Sequence, residues 1–246
     1  LMPLIIPISC PLWMLALSIA FAVILCKEIF GGTGMNIFNV ALSARAFLFF
    51  SYPSEMTGDT VWVANHSIFG LGNTLPDATT MATPLGELAQ HTDIPYTINE
   101  MMIGLIPGSV GETSVIAIAL GAILLLLTGI ASWKTMFSVF AGGGIMAVLF
   151  QSLGMTPIEW YEHLILGGFC FGAVFMATDP VTSARTETGK YIYGALIGVM
   201  TVIIRVMNPG YPEGMMLSIL FANMFAPLID YCVVQHNINC LLYTSP

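Results

Sequence analysis

Apolar residues run through this chain in blocks longer and more continuous than the one-sided stripes of soluble helices. Seven blocks have the character of bilayer spans: Leu12–Cys26, Met35–Tyr52, Ser114–Ser132, Thr135–Leu153, His163–Thr178, Tyr191–Met207 and Met215–Val234. A full crossing takes about 20 residues of helix, so the blocks that are shorter or interrupted by glycine predict helices with soft ends. Between the second and third blocks lies a long polar interlude, residues 53–113. The pattern predicts an all-α fold, a polytopic transmembrane helical bundle of about seven spans with one long extracytoplasmic loop. It predicts one transmembrane domain over 1–239, and residues 240–246 read as a non-native tail.

Composition sharpens this picture. The chain is 57% hydrophobic and 8% charged, where a soluble domain keeps about 25% charged residues. The net charge of −8 comes from a scarcity of Lys and Arg, six in all, and argues against nucleic acid as a partner. The basic residues also orient the bundle, because they mark the cytoplasmic side. Lys27, Lys134, Arg185 and Lys190 flank the first, third, fifth and sixth blocks and fall on one face under strict alternation. The opposite face receives 53–113, 154–162 and 208–214, which hold no Lys or Arg. That topology puts the first residue outside and the last inside. It predicts an odd number of spans upstream, so the chain reads as the carboxyl-terminal part of a longer one.

Little points to metal or disulfide chemistry. Cys10, Cys26, Cys170, Cys232 and Cys240 form no CxxC pair, and His66, His91, His163 and His236 lack ligand spacing. Three other places stand out. In the polar interlude, Asp77–Leu85 is a hydroxyl-rich, small-residue stretch, with Pro84 and Glu87 following Thr83. It suits a helix start capped by Thr83, and a hydroxyl there is also well placed to hold a phosphate. Glycine-rich Gly31–Asn39 opens the second block and Ala177–Pro180 closes the fifth; such interruptions are how transporter-like folds place sites among spans. Asp230 lies near the end of the seventh block with no basic neighbour, at a cost a protein tolerates for cation handling or by reaching the interface. Arg45 and Arg205 are the remaining charges within spans, free to pair with an acid or to reach an interface. Pro107-Gly108 with Glu112 and Pro209-Gly210 with Glu213 echo one another, and helix capping accounts for both.

The words of the sequence then narrow the field. Asp77-x-x-Thr80-x-Ala82-Thr83 resembles the flavinylation motif Asp-x-x-Ser/Thr-Gly-Ala-Thr, with Met81 in place of the glycine. Lys27–Gly34, Ala44–Phe50, Ile106–Glu112, Met176–Val181 and Asn208–Met216 are similar to stretches of the NqrB/RnfD family, on the branch found in the Na+-translocating NADH:quinone oxidoreductase. Val40 stands where that family has proline. The resemblance covers about Pro11 to Asn237. It implies FMN esterified to Thr83, with Asp77, Thr80 and Ala82 recognised by a flavin transferase, and non-covalent riboflavin held by Asn36, Asn39 and Asp179. It further implies a sodium pathway that includes Asp179 and Asp230, with no catalytic side chain and no resident metal.

The implied activity is that of a translocase component in the bacterial inner membrane. It passes electrons to a quinone such as ubiquinone, coupled to Na+ export, among the other subunits of a six-subunit reductase and the membrane lipid. NADH oxidation itself would lie elsewhere, since no Gly-rich βαβ element is present. The RnfD component of an Rnf-type ferredoxin:NAD+ oxidoreductase is the alternative reading. A urea/ammonium-type channel is a remoter one, which needs no flavinylation loop.

Overall fold

A computed structural model describes residues 1–7, 10–56, 83–85, 97–104, 106, 108–109, 111–156, 158–208 and 213–244. Among them every regular element is helical. In chain order these are α1 (Met2–Ile5), α2 (Leu12–Val23, running into a π turn at Ile24–Glu28), α3 (Val40–Ser51) and α4 (Pro53–Met56). There follow α5 (Ile98–Ile103), α6 (Val115–Leu127), α7 (Trp133–Ser152), α8 (Glu162–Ile165) and α9 (Phe169–Phe171, running into a π turn at Gly172–Met176). α10 (Glu187–Met207) and α11 (Met215–Thr244) complete the chain.

Among the described residues, three helices are long and apolar enough to cross a membrane: α7, α10 and the Met215–Asn239 part of α11. α3 and α6 are apolar but shorter. The outer surface is that of a protein solvated by lipid. On α6, Leu120, Leu124 and Leu127 are 65, 62 and 83% exposed, a contiguous apolar face that water would penalise.

Side-chain caps and glycines set the helix ends, and they move several boundaries from where hydrophobicity alone puts them. The second block begins as helix at Val40 rather than Met35. Gly31, Gly32 and Gly34 have φ of 116°, 92° and 91°, a region open to glycine and strained for other residues, and Asn39 then starts the helix. The Asn39 side-chain oxygen accepts from the amides of Ala41 (3.1 Å) and Leu42 (3.4 Å). The fifth block is two helical pieces, α8 and α9, broken where Gly167 takes φ +64°. The sixth starts at Glu187, not Tyr191, because the Thr186 hydroxyl caps it by accepting from the Gly189 amide at 3.1 Å. Pro227 does not stop α11.

The mechanical spine is the parallel pair α7 and α10, which pack more extensively than any other two elements. A methyl on Gly198 would sit 2.2 Å from the Val139 carbonyl oxygen, and one on Gly194 2.7 Å from that of Thr135. Where lipid replaces water, the van der Waals packing that such close backbone approach allows is one of the forces that hold helices together.

Candidate functional site

The two interrupted stretches meet. The end of the loop Gly31–Asn39 and the turn after α9 flank an open cavity of about 590 Å³, lined by Asn36, Asn39, Thr178 and Asp179 among apolar walls that include Ala44, Leu125 and Phe175. Asn39 Nδ2 donates to Asp179 Oδ2 at 3.4 Å. Asp179 also accepts from the Val181 amide (3.2 Å) and the Thr182 hydroxyl (3.1 Å), which closes the turn. Asn39 is therefore both helix cap and cavity wall, and Asp179 both turn closure and cavity wall. Asn36 is not a cap: its Oδ1 is buried without a hydrogen-bond partner among the described residues. A buried carbonyl oxygen left unpaired is costly, so this wall is short of one donor. A mostly apolar cavity of this size with a few convergent polar groups has the dimensions and chemistry of a cofactor site, and a flavin edge carries both donors and acceptors for these three side chains.

Asp230 lies on a neighbouring cavity of about 360 Å³ that shares Asn36 and is also lined by Thr182, Ser183 and Asn223. Its carboxylate accepts from the amides of Arg185 (2.8 Å) and Thr186 (3.0 Å) and from the Thr186 hydroxyl (2.6 Å). Asp230 thus ties α11 to the first turn of α10, a role that hydrophobicity gives no hint of.

On the opposite side of the bundle Arg45 reaches two acids. Its guanidinium donates to Glu112 Oε1 at 2.7 Å and to Glu213 Oε2 at 2.8 Å, with Ser109 Oγ donating to Glu112 Oε2 at 2.6 Å. Ser114 caps α6, and the acids of the two echoed turns, Glu112 and Glu213, converge on one arginine. Burial raises the Glu213 carboxyl above its ordinary value, opposed by Arg45. Arg205 is buried and donates to the carbonyls of His163 (2.5 Å), Leu166 (3.3 Å) and Glu213 (3.4 Å), the first two in the broken helix. Hydropathy alone does not find this network. The repeated turn and the lone arginine in an apolar run are its only signals in the sequence.

Thr83 is half-buried and directly precedes helical Pro84 and Leu85, as a cap would. Asp77, Thr80 and Ala82 lie outside the described residues.

The sequence model of the NQR2, RnfD, RnfE family matches residues 1–239. The chain is 52% identical over 244 residues to the NqrB component of the Na(+)-translocating NADH-quinone reductase of Chromohalobacter salexigens, covering 96% of this chain and 57% of the relative. Against its counterpart from Ectopseudomonas mendocina it is 51% identical over 249 residues, covering 97% and 59%. Against that of Klebsiella pneumoniae it is 49% identical over 252 residues, covering 97% and 58%. The chain thus spans rather less than two thirds of the length of these relatives.

Proposed function

Because this chain belongs to the NQR2, RnfD, RnfE family, whose model matches nearly all of it, we propose that it serves as the NqrB component of a Na+-translocating NADH:quinone reductase. In this reading the protein carries FMN on Thr83 and non-covalent riboflavin in the larger cavity, and passes electrons to quinone coupled to Na+ export across the bacterial inner membrane. The shorter helices complete its seven spans, and the other reductase subunits surround it. The observation that carries the reading is the convergence of Asn36, Asn39 and Asp179 on one cavity. Similarity to NqrB sequences favours this branch over the Rnf-type one.

The flavins supply one- and two-electron chemistry when bound. What the chain supplies is position and charge. Thr83 Oγ1 would bond to the FMN phosphorus of FAD as the diphosphate bridge breaks; AMP leaves and the hydroxyl proton passes to solvent. The transferase would recognise Asp77, Thr80 and Ala82. Asn36, Asn39 and Asp179 would hold the riboflavin edge, and the carboxylates of Asp179 and Asp230 would offer Na+ hard oxygen ligands. A mass spectrum of the peptide spanning Asp77 to Gln90 tests the reading. It should show the FMN adduct on Thr83, and a bare peptide from protein matured with its transferase would refute it.

Two substitutions probe the remaining residues. Asn39→Leu should lower riboflavin content about tenfold, the worth of roughly 1.4 kcal/mol, while covalent FMN stays constant. It also removes the α3 cap, at about 0.5–2 kcal/mol. Asn39→Ser keeps a capping oxygen and should lose riboflavin too; full riboflavin in both variants would exclude Asn39 from the site. Asp230→Asn can no longer accept all three bonds at the start of α10. It should raise the Na+ concentration for half-maximal quinone reduction about tenfold, again roughly 1.4 kcal/mol, with both flavins retained. An unaltered Na+ curve would remove Asp230 from the pathway.

A further inference from the structure

The broken helix between α8 and α9 is held from three sides. Arg205 donates to the carbonyls of His163 and Leu166 just before the break. Gly168, just after it, lies against the acid pair, so close that a methyl there would sit 2.8 Å from Glu112 Oε1 and 3.0 Å from Glu213 Oε1. The third contact is made by a residue from the long loop. Leu85 is 5% exposed and packs with Met101, Ile106, Ile158 and Leu166. A methyl on Gly167 would lie 2.3 Å from Leu85 Cδ1. Leu85 therefore fills a notch that exists because residue 167 has no side chain.

Pro84 is buried beside it and its ring fixes φ, so the seat of Leu85 constrains the residue before the proline. Two residues of chain reach at most about 7 Å. Thr83 is accordingly held at the outer end of the broken helix, although it belongs to a loop that runs from residue 53 to 113.

We propose that Leu85 is a positioning residue: seated against Gly167, it fixes Thr83, and the group Thr83 carries, at one place over the broken helix. This rests on the reading that Thr83 bears FMN. Electron transfer depends on the distance and orientation of its partners, so releasing the group that Thr83 carries from one place slows it. The transferase reads the flavinylation motif before the electron-transfer geometry matters, and Leu85 lies two residues beyond it. Recognition and positioning are thus assigned to different residues on the two sides of Thr83.

The test uses the full-length protein in its assembled complex. Leu85→Ser should keep covalent FMN at the wild-type level, read as the mass of the Thr83 peptide, while quinone reduction falls about tenfold, equivalent to about 1.4 kcal/mol in the barrier. Leu85→Met, which conserves volume and apolarity, should restore it. Loss of the FMN adduct in an otherwise folded Leu85→Ser protein would overturn positioning in favour of transferase recognition, and unchanged quinone reduction would overturn it outright. A second arm does not depend on flavin. In Leu85→Cys, the thiol should react with a membrane-impermeant maleimide at least about tenfold more slowly in the native complex than after denaturation, as burial of the seat requires. Equal rates would overturn the seat. Protection in a chain whose Thr83 is bare would uphold the seat and overturn the flavin reading instead.

Discussion

Thr83→Ala is expected to abolish covalent flavin on this chain altogether. The phosphoester needs a hydroxyl oxygen as nucleophile, and alanine offers none. Thr79 and Thr80 remain in the variant, so complete loss assigns the bond to Thr83 among its neighbours. Thr83→Ser, which keeps the hydroxyl, is expected to retain the adduct. Folding should survive, because Thr83 is half-buried and a lost helix cap costs about 1 kcal/mol. Riboflavin content should also survive, since the cavity formed by Asn36, Asn39 and Asp179 receives no part of the described loop residues. Quinone reduction with NADH should fall to background. In-gel flavin fluorescence of the denatured polypeptide reads the first effect directly, and residual fluorescence in the variant would place the adduct elsewhere.

The second large effect is on stability. Arg45→Met leaves two carboxylates facing each other, with side chains only 11% and 19% exposed, and removes the cation that bridges them. Breaking a buried ion pair from one side costs about 3–5 kcal/mol, a large part of the roughly 5–15 kcal/mol that holds a typical protein folded. The expected outcome is a lower thermal midpoint in detergent and a reduced yield of folded chain. The penalty comes from uncompensated charge, so adding Glu112→Gln and Glu213→Gln to the variant should recover most of the loss. Single-substitution protein that melts with wild type would show that the three groups are solvated.

These two expectations differ in how far the sequence alone supports them. Thr83, Asn36, Asn39 and Asp179 are legible because a short motif, or an interruption in an apolar run, is visible as a string. Arg45, Glu112 and Glu213 are not, because their roles depend on contacts 67 and 168 positions apart along the chain. The echoed Pro-Gly-acid turns are visible, yet local physics favours capping and gives no sign of the arginine that both acids share. The break at Gly167 is hidden for a similar reason. Hydropathy continues across it, and only backbone conformation, supported by Arg205 and Leu85, shows that the helix stops. Span ends are set by caps such as Thr186, whose polarity places them outside any hydrophobic window.

The contact of α7 and α10 through Gly142, Gly194 and Gly198 has a mechanical consequence. At these three glycines the two backbones touch directly, and the Ser138 hydroxyl adds a hydrogen bond to the Tyr191 carbonyl, so the pair is set as one close strut. At the end marked by basic residues Lys134 of α7 bridges to Glu187 of α10, and the first turn of α10 is gripped by Asp230. At the far end it presents Arg205 to the broken helix. The α7–α10 pair therefore joins the surface marked by basic residues to the broken helix on which Leu85 is seated.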